Sequence, residues 1–304
     1  MGFSILLYLS TRLILGTCFS ISSLLGTLGN FVSLYCLRKT KKSEEKLNNS
    51  ALLILTLNLS DLVNCMVIAP FQAAYTINLY PGTHPIHLVQ IYLAALASWY
   101  PAIVMFLIAI HRYIQINLSI HYQSFFKNYR MAFSILICLV FCVLSPSLMF
   151  TGSFTAITVI NEVVIFTSMV LIPIFYVLIY RNMRKSHRRA RGTSQSTTVS
   201  TVSRNVLILI SIFLICRFPG FMSGLVYLMA KNNRTIDHLF MARIGMLFST
   251  VNSCVNPFAY VFMDQSYRNT LRKMCGKKNR STKIGSSTCT GTKSEDENVI
   301  VIDL

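Results

Sequence analysis

Windows of about twenty apolar residues, the length that spans a hydrocarbon core, follow one another along most of this chain, and nothing else constrains its fold as strongly. Seven such windows are legible, near 10–37, 48–77, 86–116, 130–151, 157–183, 202–230 and 238–263. In lipid the backbone must satisfy its own hydrogen bonds, and runs this long, with little period-two alternation, fit helices rather than barrel strands. The expected fold class is therefore all-α: a seven-transmembrane helix bundle. Composition agrees, because 12% charged residues is about half of what soluble domains carry. The expected organisation is a bundle over 1–263, a short amphipathic helix over 264–275 and a disordered tail over 276–304.

Lys and Arg set the orientation, since basic connections stay in the cytoplasm. Arg38 to Lys46, Lys127 and Arg130, Arg181 to Arg204, and Arg268 to Lys293 place 22 of them on one side, against Arg12, Lys231 and Arg234 on the other. The N terminus is then outside and the tail inside, at a plasma membrane. The net charge of +18 reads as topology plus attraction to anionic lipid, and nucleic acid is not an expected partner. The first window is too long for a signal peptide and ends in a basic stop, so it is expected to stay as a helix. About ten residues precede it, which leaves no folded ectodomain to capture a ligand. Of the nine cysteines seven lie within windows, and no closely spaced Cys or His set offers a metal site.

Polar residues inside apolar spans are the informative ones, because hydrocarbon penalises them and they need partners or a function. Asp61 is the only carboxylate deep in the membrane, and the amides of Asn30, Asn252 and Asn256 could converge on it as a polar knot. Four signals stand in order: Gly29–Asn30 in the first span, Asp61 in the second, His111–Arg112–Tyr113 ending the third, and Asn256–Pro257 through Tyr260 ending the seventh. With them go Pro173, Phe213, Cys216–Arg217–Phe218–Pro219, Asn252–Ser253 and Tyr267–Arg268. Over nearly the whole membrane region this set resembles the rhodopsin-like (class A) G-protein-coupled receptors, as a divergent member.

The resemblance implies a receptor, not an enzyme. An extracellular ligand would sit among the third, fifth, sixth and seventh helices and drive a heterotrimeric G protein. It assigns the coupling switch to His111, Arg112, Tyr113, Phe213, Pro219, Asn256, Pro257 and Tyr260, with Arg112 meeting the G-protein α subunit. The knot could hold a sodium ion, the one cofactor suggested, although Pro101 occupies the position that usually supplies a hydroxyl to it. Pro219 removes a helical hydrogen bond, so the sixth helix should kink there and can act as a lever.

Departures from the family pattern narrow the reading. His111 replaces the usual acidic neighbour of Arg112, and Val199 is not acidic either, so the restraint between the third and sixth helices is missing and basal signalling should be raised. Arg217 replaces a Trp near the pocket floor. A buried guanidinium needs an anion, carbonyls or water, and either it pairs internally, with Asp61, or it binds an acidic group of the ligand. Glu162 and Arg243 could line the pocket mouth or face headgroups. Ala94 stands where amine receptors carry an Asp, which disfavours monoamines, and the absence of Lys in the seventh span excludes a retinal Schiff base. His87 stands in place of the usual cysteine, and the second outer loop, about 151–161, lacks its partner. Small peptides, lipids and small organic acids remain.

Asn233 opens a glycosylation sequon. Cys275 follows a basic amphipathic segment and suits palmitoylation. The stretch Thr193 to Ser203 and the tail Ser/Thr residues read as flexible linker that arrestin could recognise once phosphorylated, and Val301 to Leu304 resembles a PDZ-binding end. Two alternatives stay open. One is a receptor-like chain with lost or constitutive coupling. The other is a transporter or channel with Asp61 and Arg217 on an ion path, against which stands the lack of an internal repeat.

Overall fold

The computed structural model describes residues 2–41, 49–78, 85–117, 128–151, 154–189, 196–229, 236–263 and 265–274. Nearly all of them are helical. The elements are α1 (Gly2–Lys41), α2 (Asn49–Ile77), α3 (Ile86–Asn117), α4 (Asn128–Leu144, prolonged by a tighter turn over Ser145–Thr151), α5 (Phe154–Arg189), α6 (Ser196–Met229), α7 (Ile236–Met263) and α8 (Gln265–Met274). Each apolar window falls on one helix, and the differences lie at the ends. The stretch Thr193 to Ser203, read as flexible linker, is a correction: from Ser196 onward it forms the first turns of α6. A helix already nucleated within the apolar span extends into polar sequence at a gain of one hydrogen bond per residue.

Six helical stretches among the described residues are long and apolar enough to cross a membrane: Leu9–Lys39, Asn49–Ile77, Ile86–Asn117, Tyr129–Leu148, Thr155–Asn182 and Ser211–Met229. The chain is thus a multi-pass, all-helical membrane protein. α7 is not in that set. Its Arg243, Asn252, Ser253 and Asn256 dilute its apolar character, and the last three are buried rather than turned outward.

The distribution of side chains is the reverse of a water-soluble core. Leu24, Leu28, Phe31, Val67, Phe133, Leu136, Val163, Phe166 and Ile215 are exposed, whereas Asn30, Asn58, Asp61, Asn64, Gln72, Gln90, Glu162 and Arg217 are buried. An apolar belt facing lipid and polar groups turned on one another satisfy both solvents at once. α1 packs on α2 and α7, α7 on α6, α6 on α5, α5 on α3, and α3 on α2 and α4, while α8 lies against α1 and α7. In the half of the bundle nearer Arg112, Leu57, Val104, Met105, Ala109, Ile172, Tyr176, Ile179 and Phe213 form the main apolar core between α2, α3, α5 and α6.

Two local devices position the site. Pro70 has no N–H to return to residue 66, and the turn just before it, Asn64–Ile68, widens to a π-helix that absorbs the lost bond and re-aims Asn64 and Cys65 inward. Gly220 and Gly245 let α6 and α7 meet backbone to backbone, since a Cβ on residue 245 would lie 2.7 Å from the Gly220 Cα. Pro101, Pro173, Pro219 and Pro257 all sit inside helices that run through them.

Candidate functional site

At mid-depth the carboxylate and amides that the sequence singled out are brought to one place, with a different wiring from simple convergence on Asp61. Asn256 Nδ2 of α7 donates to Asp61 Oδ2 of α2 over 2.6 Å, both residues being buried. Asn30 of α1 turns instead to backbone, donating to the Gly26 and Ser253 carbonyls at 2.9 and 3.1 Å. Asn64 Nδ2 donates to Ser253 Oγ over 2.9 Å. Asn252 is buried beside them, and Asp61 Oδ1 is buried without a hydrogen-bond partner. The knot therefore ties α1, α2 and α7 together. The Oδ1 atoms of Asp61, Asn30 and Asn64 are each buried without a hydrogen-bond partner, so Asp61 keeps one oxygen that a hard cation could take.

Five further residues of this layer carried no mark in the sequence. Ser33 Oγ donates to Asn58 Oδ1 over 2.9 Å, Asn64 enters through the π turn, and Cys65 and Cys254 meet with sulfurs 3.9 Å apart. Asn58, Asp61 and Cys65 at i, i+3 and i+7 share one helix face, and that spacing was the available signal. The widened turn was not readable from spacing, because it shifts the register of every later residue of α2.

One layer further from Arg112 lies Arg217, only 2% exposed. Its Nη1 donates to Ser98 Oγ of α3 and to Ser249 Oγ of α7, each over 3.1 Å, and its guanidinium carbon stands 5.8 Å from the Phe213 ring. Hydroxyls, rather than the Asp61 carboxylate, are what it bonds, so of the two readings left open the internal one takes the form of serine contacts and not of an ion pair. Asp61 Oδ2 faces Asn256 of α7, one polar layer below. Nε of Arg217 is buried with no acceptor.

Toward the end of the bundle opposite Arg112, α2, α3 and α7 carry a second group. Gln72 and Gln90 hydrogen-bond each other, Gln90 Nε2 reaches Met246 Sδ at 3.2 Å, and the Tyr75 hydroxyl meets His87 Nδ1. Arg243 lies over the Tyr75 ring at 5.7 Å, so it is turned into the bundle and not toward headgroups. Arg12 of α1 is buried and bonded to the carbonyls of Thr76 and Asn78. Ala94 is half-buried on α3 one turn before Ser98. Glu162, expected near the pocket mouth or among headgroups, is buried between α5 and α6 and pressed on Gly224, whose missing side chain makes the room. Its Oε1 accepts from Asn161 Nδ2 over 2.9 Å, and Asn161 Oδ1 accepts from Trp99 Nε1 over 2.8 Å.

At the far end of α3 His111 is buried, Arg112 and Tyr113 are half-buried, and the Tyr113 ring meets Phe175 of α5 with centroids 5.3 Å apart. Asn182 of α5 donates to Asn117 of α3 over 2.7 Å. Phe213 closes the apolar core beneath Arg217, and Pro257 packs where Gly29 of α1 approaches α7. α8 carries Arg272 and Lys273 in its last turn. Asn233, Cys275, the tail from 276 and the side chains of Val199, Tyr260 and Tyr267 lie outside the described residues.

Residues 153–260 match the family model described as 7 transmembrane receptor (rhodopsin family). Among curated relatives, purinoceptor 13 of Macaca fascicularis is 25% identical over 125 residues, covering 39% of this chain and 51% of its own. Somatostatin receptor type 4 of Rattus norvegicus is 26% identical over 104 residues, or 34% of this chain and 26% of its own. Probable G-protein coupled receptor 34 of Mus musculus is 24% identical over 294 residues, 85% of this chain and 76% of its own. The aligned stretch thus spans about half of the purinoceptor and a quarter of the somatostatin receptor. The resemblance drawn from the polar residues is borne out, and it points to receptors rather than enzymes.

Proposed function

We propose that this chain, a divergent relative of the rhodopsin-family seven-transmembrane receptors, is a plasma-membrane receptor that takes an extracellular ligand and activates a heterotrimeric G protein. The observation that carries the reading is the hydrogen bond from Asn256 to Asp61 at the buried centre. It ties the cytoplasmic end of α7 to α2 inside a polar layer continuous with Ser249 and Arg217 above. A change of contacts at the outer half of α6 and α7 can then bias the arrangement at the inner half, which is what a signalling receptor requires.

In this reading α7 is the seventh span, the N terminus faces outward, and α8 with the tail faces the cytoplasm. Ligand enters between α2, α3, α6 and α7, where Gln72, Gln90, Met246 and Arg243 face inward. Arg112 at the end of α3 meets the G protein, and α6 swings about Pro219. Sodium at Asp61, palmitoyl at Cys275, glycan at Asn233, and arrestin or a PDZ domain at the tail are further parts of the proposal. The relatives include a purinoceptor and a somatostatin receptor, names that point to unlike ligands.

The test is a broad ligand screen with a promiscuous G-protein reporter, run beside Arg112→Ala at matched surface expression. Agonist-driven nucleotide exchange should appear in the native receptor and vanish in the variant. Signal that survives the substitution undiminished removes the role assigned to Arg112.

A further inference from the structure

The guanidinium of Arg217 sits in the interior with its hydrogen bonding unfinished, and the pattern of what is unfinished is specific. Both hydrogen bonds it makes leave from Nη1. Nε is buried without an acceptor. The edge of a guanidinium that carries Nε and Nη2 is the edge that grips a carboxylate with two parallel N–H···O bonds. Ser98 and Ser249 accept from Nη1 with their oxygens, which leaves each hydroxyl a proton to donate. The layer at Arg217 is thus a cation and two hydroxyls, all rich in protons to give and short of acceptors.

A buried positive charge in that state calls for an anion. The nearest carboxylate is within electrostatic reach but does not supply it by contact: Asp61 Oδ2 faces Asn256. Outward of Arg217, the described residues Gln72, Gln90, Met246 and Arg243 are neutral or basic. Gln72 and Gln90 bridge α2 and α3, and Met246 lies against Gln90. Arg243, six residues before Ser249 on α7 and so about 9 Å further out along the helix, adds a second positive charge on the way in. Glu162, another buried acid, accepts from Asn161 through Oε1 and packs on α6 at Gly224, while its Oε2 is buried without a hydrogen-bond partner.

We propose that Arg217, with the hydroxyls of Ser98 and Ser249, is the docking point for a carboxylate on the extracellular ligand, inserted acid-end first between α3, α6 and α7. The inference rests on the receptor reading for its consequence, since occupancy of this point tethers α3 and α7 to α6 two residues before Pro219. It commits the ligand to an acid whose apolar remainder lies outward of Arg217, against Ala94 and Met246.

The experiment uses the full chain in nanodiscs. Unfolding temperature is followed with hexanoate as the probe, against hexanamide and sodium chloride at equal ionic strength. Hexanoate should raise the unfolding temperature saturably, and hexanamide and chloride should not. Arg217→Gln should abolish the shift and Arg217→Lys should retain part of it. Ser98→Ala with Ser249→Ala should raise the half-saturating concentration about tenfold, the equivalent of one lost charge-assisted bond. Should Arg217→Gln fail to fold, the Lys and double-Ala variants carry the same test. A shift equal with hexanamide, reproduced by chloride, unchanged in Arg217→Gln, or absent altogether overturns the proposal. GTP exchange measured on the same preparation separates the two readings: hexanoate binding with no coupling sinks the receptor function and leaves the docking point standing, and coupling without hexanoate binding does the reverse.

Discussion

The contact between Gly220 and Gly245 yields a prediction in which one chemical change has opposite signs on its two sides. A methyl group added at residue 245 would stand 2.7 Å from the Gly220 Cα, 3.3 Å from the Gly220 nitrogen and 3.0 Å from Ser223 Oγ. Carbon atoms rest at about 3.5–4.0 Å, so α6 and α7 would have to part by about 1 Å. Ser223 can turn, at the loss of its 2.7 Å bond to the Gly220 carbonyl, but the Gly220 backbone has nowhere to go. Overpacking of this kind costs about 1–3 kcal/mol. A methyl group at residue 220 meets nothing closer than the Gly245 carbonyl oxygen at 3.7 Å, an ordinary contact, and removes a glycine from a helix interior, worth up to about 1 kcal/mol in favour of folding. Gly245→Ala should therefore lower the unfolding temperature of the solubilised protein, while Gly220→Ala should leave it level or raise it. A thiol-reactive dye reports the transition, because Cys36, Cys65, Cys142, Cys216 and Cys254 are buried free thiols that unfolding exposes. Gly245→Ala as stable as Gly220→Ala would refute the close approach of the two helices as the reason for glycine there.

Two further substitutions test the inner layers. Asp61→Ala leaves the buried amide of Asn256 with no acceptor and should destabilise by about 1–3 kcal/mol, whereas Asp61→Asn keeps an acceptor oxygen and should unfold above it; equal unfolding temperatures would remove that bond from the stability of the knot. His111→Asp restores an anion beside Arg112, so basal GTP exchange should fall relative to the native receptor, and basal exchange no lower in the variant would show that the histidine does not loosen the resting state.

Element placement was legible in the sequence because lipid applies one strong rule everywhere: about twenty residues of apolar side chain make a crossing helix, and ends fall where charge begins. The one long helix that falls short of that rule among the described residues, α7, does so because it carries the site. Asn252, Ser253 and Asn256 lower its apolar content and are the residues buried against α1 and α2. Which polar groups would be buried together was also legible in outline, since Asn30, Asp61, Asn252 and Asn256 are costly to leave facing hydrocarbon. Partner choice was not. Asn30 could have reached the carboxylate or a carbonyl, and only the packing of α1 on α7 decides for the Ser253 carbonyl.

Arg217 shows where that limit matters for function. From composition it needed an anion, and Asp61 was the one deep carboxylate the sequence could name. The assembled bundle instead gives Asp61 to Asn256 and gives Arg217 two hydroxyls, Ser98 and Ser249, that no periodicity had marked. Because serine hydroxyls accept one hydrogen bond and still have a proton to donate, they steady the cation without neutralising it. With no neutralising partner bonded to it, Arg217 remains a buried cation, and under the docking proposed for it a ligand is selected by charge before shape is consulted.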